Sequence, residues 1–350
     1  MKGLKIAVIG AGSTYTPELI NGFIKRKNEL PVDSFFMMDI DEEKLEIVGN
    51  MAERMLNANS LSSKVIKTNS LKAALDNTDF VIAQIRVGKL DARIKDEKIP
   101  LKYGMIGQET TGIGGFMKGM RTIPVLMEIA GLMKEYCPEA WLINFSNPSG
   151  MLAEAVLNNT ETKMIGLCNV PINMIKSVQP ITNGFSDVTI DYVGLNHLSW
   201  ITGIHCDGEN LLPKKLTEVD TSGKLKNIPN SVFDIDLLKA INAYPCGYLT
   251  YYYYKDRKLK HLLKEEKSRG EVCKEIEKEL LQMYQNPELK EKPPMLDKRG
   301  GAMYSEAAVS LISAIYNDKN EIHVVNTKNN GALDFMDRND VIEISCTVNK

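Results

Sequence analysis

The sequence predicts an α/β protein that combines a doubly wound parallel sheet with an interwoven, mixed α+β lobe. Up to about Asn147, short β-rich runs alternate with longer helical patterns, as crossover connections between parallel strands require. A glycine-rich turn directly follows the first of these runs. After Asn196 the pattern changes, and the stretch from Ile235 to Tyr284 is mainly helical and polar. These three observations predict the fold class.

Each element follows from a local pattern of apolar residues. Short apolar runs predict strands at Lys5–Ile9, Phe35–Asp39, Lys64–Lys67, Asp79–Gln84, Trp141–Phe145, Met164–Leu167 and Val188–Leu195. A further strand is predicted at Trp200–Cys206, with a turn at Asp207-Gly208. Glu42–Leu56 and Ile123–Tyr136 each place their apolar residues on one face, which predicts helices.

Composition and charge limit the class of protein. The chain has 350 residues, of which 43% are hydrophobic and 25% charged, and this length suggests two packed domains or lobes. A net charge of −2 gives no reason to expect nucleic acid or an anionic membrane as a partner. The 6 cysteines are scattered without a CxxC pair, no apolar run approaches a membrane span, and no signal peptide precedes the first strand. We therefore expect a cytoplasmic protein with reduced thiols.

The glycine-rich turn indicates a dinucleotide site. Gly10-Ala11-Gly12-Ser13 follows the first strand, and Thr16-Pro17-Glu18 opens a helix with Thr16 as the predicted N-cap. Glycine lets a pyrophosphate approach the backbone at such a helix start. Asp39, at the end of the second strand, suits the ribose hydroxyls and would repel a 2′-phosphate, which favours NAD.

Tyr15 stands where the third glycine of GxGxxG is expected, so a plain strand–turn–helix is the alternative. The surrounding strand, helix start and Asp39 favour a Rossmann-type NAD domain. We place it at 1–170 and an interwoven catalytic and substrate lobe at 171–350, since no linker separates the two.

Polar residues at strand ends are the candidates for chemistry. Asn144-Phe145-Ser146-Asn147-Pro148 follows a buried strand, where open α/β sheets bind ligands. Cys168 and His197 also follow apolar strands. From the residues alone, this pair could bind a divalent metal, act as a nucleophile with its base, or have no role.

Basic and aromatic residues add weaker candidates. Arg93 and Arg269 are possible anion clamps, because a guanidinium matches a phosphate in a bidentate way. Ser268-Arg269-Gly270 interrupts a charged helical run from Lys255 to Glu279. The tyrosine-rich segment 248–254 is expected to serve mainly in packing.

Taken in order, these segments closely resemble the family 4 glycoside hydrolases, and among them the enzymes that cleave 6-phospho-β-glucosides. The resemblance covers essentially all 350 residues. The matching runs are Gly10-Ala11-Gly12-Ser13, Tyr15-Thr16-Pro17-Glu18, Ile85-Arg86-Val87-Gly88, Ile99-Pro100-Leu101-Lys102-Tyr103-Gly104, Gly107-Gln108-Glu109-Thr110, Asn144-Phe145-Ser146-Asn147-Pro148, Cys168-Asn169-Val170-Pro171, Gly194-Leu195-Asn196-His197, Arg299-Gly300-Gly301 and Asn329-Asn330-Gly331.

The resemblance implies a role for each matching position. Cys168 and His197 would hold a divalent metal, typically Mn²⁺, with Tyr248 as the catalytic base and Glu109 raising its basicity. The implied NAD contacts are Gly10, Gly12, Ser13, Asp39 and Arg86. The implied phosphosugar contacts are Arg93, Asn147, Asn169 and Arg269, the last at the 6-phosphate.

The resemblance also implies a redox–elimination–addition mechanism, in place of the paired carboxylates of most glycosidases. NAD⁺ would take hydride from carbon 3 of the sugar, and the metal would acidify the proton on carbon 2. Tyr248 would remove that proton, the aglycone would leave, water would add, and NADH would return the hydride. Ionising a tyrosine at neutral pH costs roughly 4 kcal/mol. One charge about 4 Å away supplies roughly that much at an effective dielectric constant near 20.

The sequence departs from the family pattern at two places. Asn169 stands where the α-specific relatives carry an aspartate that protonates the leaving group, which favours a β-glucoside substrate and leaves the general acid unassigned. The chain ends at Lys350, before the usual C-terminus of the family, whose last segment supports subunit contacts. The resemblance implies a homodimer or homotetramer. The alternatives are an NAD-dependent 2-hydroxyacid-type dehydrogenase and a non-catalytic protein that binds NAD or a sugar phosphate.

Overall fold

Strands from both halves of the chain form one eight-stranded sheet in the computed structural model, which describes residues 3–219, 232–300 and 303–350. The strands are β1 (Leu4–Ile9), β2 (Val32–Met38), β3 (Lys64–Thr68), β4 (Phe80–Ala83), β5 (Trp141–Asn144), β6 (Met164–Gly166), β7 (Val188–Leu195), β8 (Leu198–Cys206), β9 (Glu209–Asn210), β10 (Tyr244–Pro245), β11 (Glu321–Lys328) and β12 (Val341–Val348). The large sheet has the order β3-β2-β1-β4-β5-β6-β11-β12. Its first six strands are parallel in the doubly wound order, and β11 and β12 extend it in antiparallel fashion.

Some helices cover the two faces of this sheet, and others pack in the second lobe. They are α1 (Thr16–Lys25), α2 (Glu42–Ala58), α3 (Leu71–Leu75), α4 (Lys89–Leu101), α5 (Gly112–Tyr136), α6 (Ser149–Asn159), α7 (Val170–Ser177), α8 (Gln179–Thr182), α9 (Leu212–Lys215), α10 (Ile235–Ile241), α11 (Thr250–Tyr253), α12 (Lys255–Leu262), α13 (Arg269–Tyr284) and α14 (Tyr304–Tyr316). One apolar core joins the sheet to α1, α2, α13 and α14, and a second joins it to α3, α5 and α6. None of the helices in the described residues combines the length and apolar composition of a membrane crossing.

A smaller antiparallel sheet in the order β10-β8-β7, with β9 beside β8, forms the second lobe. It shares a third core with α7 and with Tyr248. Strands β7 and β8 are joined by Asn196 and His197 alone, and His197 adopts a positive φ of 66°. The lobe is therefore mixed α+β, and its strand β7 connects to the large sheet, where Ser345 Oγ of β12 donates to Ile190 O.

The strands predicted from the sequence are confirmed, with shifts at their ends. The second strand begins earlier, at Val32, and ends at Met38, so Asp39 lies just beyond it. The helix predicted from Ile123 begins at Gly112 instead. The predictions did not include β11 and β12.

The predicted N-cap of α1 is wrong. Tyr15 is the residue before the helix, and its side chain makes no capping hydrogen bond. The Thr16 hydroxyl instead donates to Ala11 O at 2.8 Å and accepts from Gln84 Nε2 at 2.7 Å. Thr16 therefore links the glycine loop to the segment that follows β4, because its hydroxyl bonds Ala11 of the loop and Gln84 of that segment at the same time.

Candidate active site

A cavity of about 880 Å³ lies at the carboxyl ends of β1, β2, β4, β5 and β6, the edge at which open α/β sheets bind ligands. It brings together nearly all the site residues predicted from the sequence. These are Gly10, Gly12, Ser13, Asp39, Arg86, Arg93, Glu109, Asn147, Cys168, Asn169, His197 and Tyr248. Arg269 is not among the residues that line it. Gly301, from one of the family motifs, lies outside the described residues.

Glycine is required at both positions of the loop after β1. Gly10 has a φ of +87°, and a Cβ there would lie 2.9 Å from Gln84 O. A Cβ on Gly12 would lie 2.9 Å from Asp39 Oδ2. The Gly12 N–H donates to that oxygen at 2.8 Å, and the Asp41 N–H donates to Asp39 Oδ1 at 3.0 Å. Two backbone N–H groups thus fix the Asp39 carboxylate at the rim of the cavity.

Cys168, His197 and Tyr248 form a contiguous buried group. Cys168 Sγ and His197 Nε2 lie 3.4 Å apart, and the Val170 N–H donates to the same sulfur at 3.4 Å. The His197 ring stacks on the Tyr248 ring, with centroids 3.8 Å apart and planes 9° from parallel. The two-residue turn between β7 and β8 projects His197 to this point. A sulfur, an imidazole nitrogen and a phenol therefore converge on one wall of the cavity.

Burial keeps all three groups neutral. It lowers the pKa of His197 to about 3, so the imidazole can serve as a ligand at neutral pH. It raises the pKa of the Cys168 thiol, and the nearby Glu343 carboxylate raises it further. Burial likewise raises the pKa of Tyr248, although a hydrogen bond with Thr110 opposes that shift. A thiolate and a phenolate would form here only beside an additional positive charge.

Glu109 lies at the centre of a buried ion cluster. Its carboxylate is 2.9 Å from Arg93 Nη1 and 2.9 Å from Lys118 Nζ, and it also contacts Arg86. Burial alone would raise the pKa of Glu109, but the three cations outweigh it and hold that pKa well below its usual range. Arg93 contacts a second carboxylate, Glu97, at 2.7 Å. The negative charge of Glu109 raises the pKa of Tyr248.

Lys118 is a site residue that the sequence analysis missed. Its side chain is 4% exposed, and burial, followed by the charge of Arg86, lowers its pKa to about 8. A lysine in a helix normally faces solvent. The feature of the sequence that indicates its burial is the pair of glycines Gly115 and Gly119, four residues apart. A Cβ at these positions would lie 2.5 Å from Thr110 C and 2.8 Å from Met151 Cε respectively. Such glycines mark a close-packed helix face, and Lys118 shares it.

The two asparagines after β5 have different tasks. Asn144 holds the turn, because its Oδ1 accepts from Ser146 N at 3.0 Å and its Nδ2 donates to Ser146 O at 3.1 Å. Asn147 faces the cavity, and its buried Oδ1 has no hydrogen-bond partner among the described residues. Asn169, just before α7, also lines the cavity. Asn147 Oδ1 is thus an acceptor available to a ligand.

The break before Arg269 is a helix start. Ser268 caps α13 by accepting from Glu271 N, and the Glu271 carboxylate accepts in return from Ser268 N. Arg269 Nη2 donates to Lys298 O at 2.9 Å and to Arg299 O at 2.8 Å. Arg299, rather than Arg269, reaches the cavity wall.

Glu343 on β12 supports the turn that carries His197. Its carboxylate is fully buried and accepts from Asn196 Nδ2 at 2.9 Å, Tyr192 Oη at 2.9 Å and Asn326 Nδ2 at 3.2 Å. Burial raises its pKa, although these hydrogen bonds oppose that shift. The sequence analysis missed this residue together with its strand. The network ties the large sheet to the residue that precedes His197.

Both parts of the chain match models of one known family. Residues 5–183 match the model described as family 4 glycosyl hydrolase. Residues 192–350 match the model described as the family 4 glycosyl hydrolase C-terminal domain.

Individual relatives agree with these matches. The chain is 46% identical to a probable 6-phospho-beta-glucosidase of Bacillus subtilis (strain 168), over 100% of this chain and 81% of the relative. It is 42% identical to a 6-phospho-beta-glucosidase of Escherichia coli (strain K12), over 99% of this chain and 80% of the relative. Among solved structures, the 6-phospho-beta glucosidase of Thermotoga maritima with manganese, NAD⁺ and glucose-6-phosphate superimposes with a TM-score of 0.89 at 38% identity, over 99% of this chain and 81% of that one. The chain therefore belongs to glycosyl hydrolase family 4.

Proposed function

We propose that the protein hydrolyses 6-phospho-β-glucosides to glucose 6-phosphate and an aglycone, with NAD and a divalent metal such as Mn²⁺ as cofactors. The observation that carries the proposal is the wall formed by Cys168, His197 and Tyr248, in the same cavity as the glycine loop. Relatives named as 6-phospho-beta-glucosidases support it. Neither a 2-hydroxyacid dehydrogenase nor a simple sugar-phosphate sensor would need a tyrosine stacked on a metal-ligand histidine.

The glycine loop and Asp39 fit NAD. Gly10, Gly12 and Ser13 leave room for backbone to approach a pyrophosphate, and the fixed Asp39 carboxylate suits ribose hydroxyls. We assign Arg86, which lines the cavity and contacts Glu109, to the same cofactor. When bound, NAD⁺ supplies a reversible hydride acceptor for carbon 3 of the sugar, and the metal supplies a Lewis acid for the oxygens on carbons 2 and 3.

Cys168 and His197 fit a metal as two ligands of an incomplete set. Sulfur and nitrogen ligands at about 2.3 and 2.1 Å from one ion lie roughly 3.1–3.6 Å apart for angles between 90° and 110°, and the two atoms here are 3.4 Å apart. The described residues contain no group of three or more Cys, His, Asp or Glu side chains able to hold a metal ion. Oxygen ligands from substrate or water would therefore complete the set.

Tyr248 is the proposed base for the proton on carbon 2 of the sugar. A divalent ion at its stacked neighbour His197 would lower the cost of forming the phenolate, which is roughly 4 kcal/mol for a free tyrosine at neutral pH. The charge of Glu109 acts in the opposite sense on the pKa, so the phenolate, once formed, is a stronger base. The stacking fixes the ring plane, so the phenolic oxygen keeps one position relative to the ligand pair.

Four residues are proposed to orient the sugar. Arg93, Asn147 and Asn169 line the cavity and would contact its hydroxyls and phosphate. Arg269 is assigned to the 6-phosphate end of the sugar. Its guanidinium donates to the backbone carbonyls of Lys298 and Arg299, next to the cavity. An amide at Asn169 cannot protonate a leaving group as a carboxylic acid can, which favours a β-linked substrate.

Three wider assignments belong to the same proposal. We place the NAD-binding domain at 1–170 and the catalytic and substrate lobe at 171–350. The two are interwoven, because Cys168 and Glu109 of the first part share one cavity with His197 and Tyr248 of the second. We assign the active form to a homodimer or homotetramer. We assign the protein to the cytoplasm, where its free cysteines would stay reduced.

The test is an assay on an aryl 6-phospho-β-glucoside. Hydrolysis should require added Mn²⁺ and catalytic NAD⁺, and NADH should not accumulate with product. Tyr248→Phe should lower turnover at least roughly 100-fold while Mn²⁺ affinity stays within a factor of about three of the wild type. Tyr252→Phe, whose ring is 74% exposed, is the matched control and should keep full activity. Full activity after chelation and removal of NAD, or wild-type turnover by Tyr248→Phe, would contradict the proposal.

A further inference from the structure

The outer side of helix α5 carries apolar side chains that are exposed to solvent. Four of them recur at positions i, i+3, i+4 and i+7, the spacing of the face that a helix normally buries. Here these four side chains are between 44% and 54% exposed. Two exposed apolar side chains of the segment before α5 belong to the same surface. We call the six residues the α5 face: Tyr103, Met105, Ile113, Phe116, Met117 and Met120.

The segment that precedes α5 adjoins the start of that helix. The Met105 N–H donates to Pro100 O at 3.1 Å, so the chain after α4 folds back on the last turn of α4. A Cβ on Gly114 of α5 would lie 2.6 Å from Asp96 O of α4. Arg121 of α5 pairs with the Asp96 carboxylate at 2.6 Å. The end of α4, the connecting segment and the start of α5 are therefore packed side by side.

Charged side chains are absent from the α5 face. Every residue from 103 to 127 is described, and none of the exposed ones among them is charged. The charged side chains of this stretch are paired elsewhere: Lys118 lies 2.9 Å from Glu109, and Arg121 pairs with α4. Depletion of charge together with enrichment in methionine and aromatic residues is the composition of the core of an interface between protein chains.

The area of the α5 face is that of one side of a stable protein interface. A fully exposed residue of this size presents about 200–250 Å². With the observed exposures, which run from 38% to 72%, the six residues present roughly 600–800 Å². The largest apolar patch of a typical monomer is about 300–600 Å². Two such faces in contact would bury about 1,200–1,600 Å², the range of specific and stable interfaces.

The first turns of α5 are weak as an isolated helix. Thr111, before the helix, makes no capping hydrogen bond with its side chain, and the first turn has no acidic residue. Four of the first eight residues of α5 are glycine, the poorest helix former after proline. Packing on both sides must therefore stabilise these turns. The inner side packs on the protein through Lys118 and its glycine neighbours, and the outer side is the α5 face.

We propose that two copies of this chain associate through the α5 face, about a two-fold axis. In such an interface the same surface of each copy meets the other, so an uncharged face avoids the like-charge repulsion that a charged one would suffer. A surface that binds anionic lipid carries lysine or arginine among its apolar residues, and the exposed residues of 103–127 include neither. The inference gives a surface to the homo-oligomer assigned above and does not depend on the proposed chemistry.

The experiment is sedimentation equilibrium on the protein loaded with NAD and Mn²⁺. The wild type should associate reversibly. Phe116→Glu and Met120→Lys should each raise the dissociation constant of this step at least roughly 100-fold, because the two-fold axis places two unpaired charges in one apolar interface. Phe335→Glu is the matched control, since Phe335 is 80% exposed and lies outside the α5 face. Its dissociation constant should stay within threefold of the wild type.

Hydrogen exchange supplies a second measurement that does not depend on the variants. Exchange of the amides of 112–120 should slow as the concentration of wild-type protein rises through the dissociation constant, and exchange of the amides around Phe335 should not. A wild type that stays monomeric would overturn both this inference and the assigned homo-oligomer. Unchanged association in both Phe116→Glu and Met120→Lys would overturn this inference alone. Binding of the wild type to lipid vesicles, lost in Phe116→Glu, would also overturn it and assign the face to a membrane surface.

Discussion

Removing the charge of Glu109 should destabilise the protein strongly. Arg93 and Lys118 each lie 2.9 Å from the Glu109 carboxylate. Glu109→Gln keeps the shape of the side chain but leaves Lys118 buried without its counterion and leaves Arg93 with Glu97 alone. At an effective dielectric constant near 20, each contact is worth about 6 kcal/mol before desolvation. Desolvation of the ions offsets much of this, and breaking buried pairs costs about 3–5 kcal/mol in practice. We expect a loss of that size in the free energy of unfolding.

The assay is urea unfolding at several pH values. The pKa of Glu109 is held well below its usual 4.5 in the folded protein, so its contribution is complete above pH 4.5 and is lost as the pH falls through the folded value. The gap in the free energy of unfolding between wild type and Glu109→Gln should therefore shrink in acid. Adding Lys118→Met should restore part of the loss, because it removes one of the unpaired cations.

Glu139→Gln is the control for this series. Glu139 pairs with Lys163 at 2.8 Å, but its side chain is 89% exposed, so the change should leave the free energy of unfolding close to that of the wild type. A Glu109→Gln protein as stable as Glu139→Gln, or a gap that does not respond to acid, would refute the reasoning about the buried cluster.

Three other substitutions test other parts of the site. Gly12→Ala should weaken NAD binding at least roughly tenfold, because its Cβ would lie 2.9 Å from Asp39 Oδ2. Gly131→Ala is the control: its Cβ would meet open space in α5, so the variant should bind NAD normally and gain about 0.5–1 kcal/mol in the free energy of unfolding. Equal NAD affinities for the two variants would contradict this prediction. Thr16→Val should cost about 1–3 kcal/mol in urea unfolding, since it leaves Ala11 O and Gln84 Nε2 without their shared partner. Glu343→Leu should lower the free energy of unfolding by at least about 3 kcal/mol, because several buried donors would lose their acceptor. A Mn²⁺ titration should also show weaker binding. Unchanged values in both measurements would rule out a supporting role for Glu343.

The parallel part of the fold was predictable because each strand and helix there carries its own local signal. The apolar run at β1, the glycine turn and the one-sided pattern of α2 need no information from elsewhere in the chain. The Cys168–His197 pair was also visible as polar residues at strand ends. What the pair does was left open by the residues, and only the 3.4 Å separation of their ligand atoms and the stacking on Tyr248 give it a chemical meaning.

Features that depend on distant contacts could not be predicted. Strand β11 joins the parallel sheet through Asn326 and Gly166, which are 160 residues apart. No local pattern specifies such a partner. Similarly, the sequence offers Arg269 as a candidate anion clamp and names Arg299 only within a family motif. The Ser268 cap begins α13 at Arg269, and the Arg269 side chain donates to the backbone carbonyl of Arg299. The Arg299 side chain, in contrast, lines the cavity.

The position of β11 and β12 at the end of the sheet has a consequence for how the chain must fold. Until residues 321–348 have been synthesised, β6 has no partner on one side and presents an open strand edge. At about 5–20 residues per second, that interval lasts roughly 10–30 seconds on a ribosome. The two family models divide the sequence near residue 190, but the folding unit is not divided there. The eight-stranded sheet is complete only after β11 and β12 have been synthesised, and the pairing of β11 with β6 joins residues that are 160 positions apart.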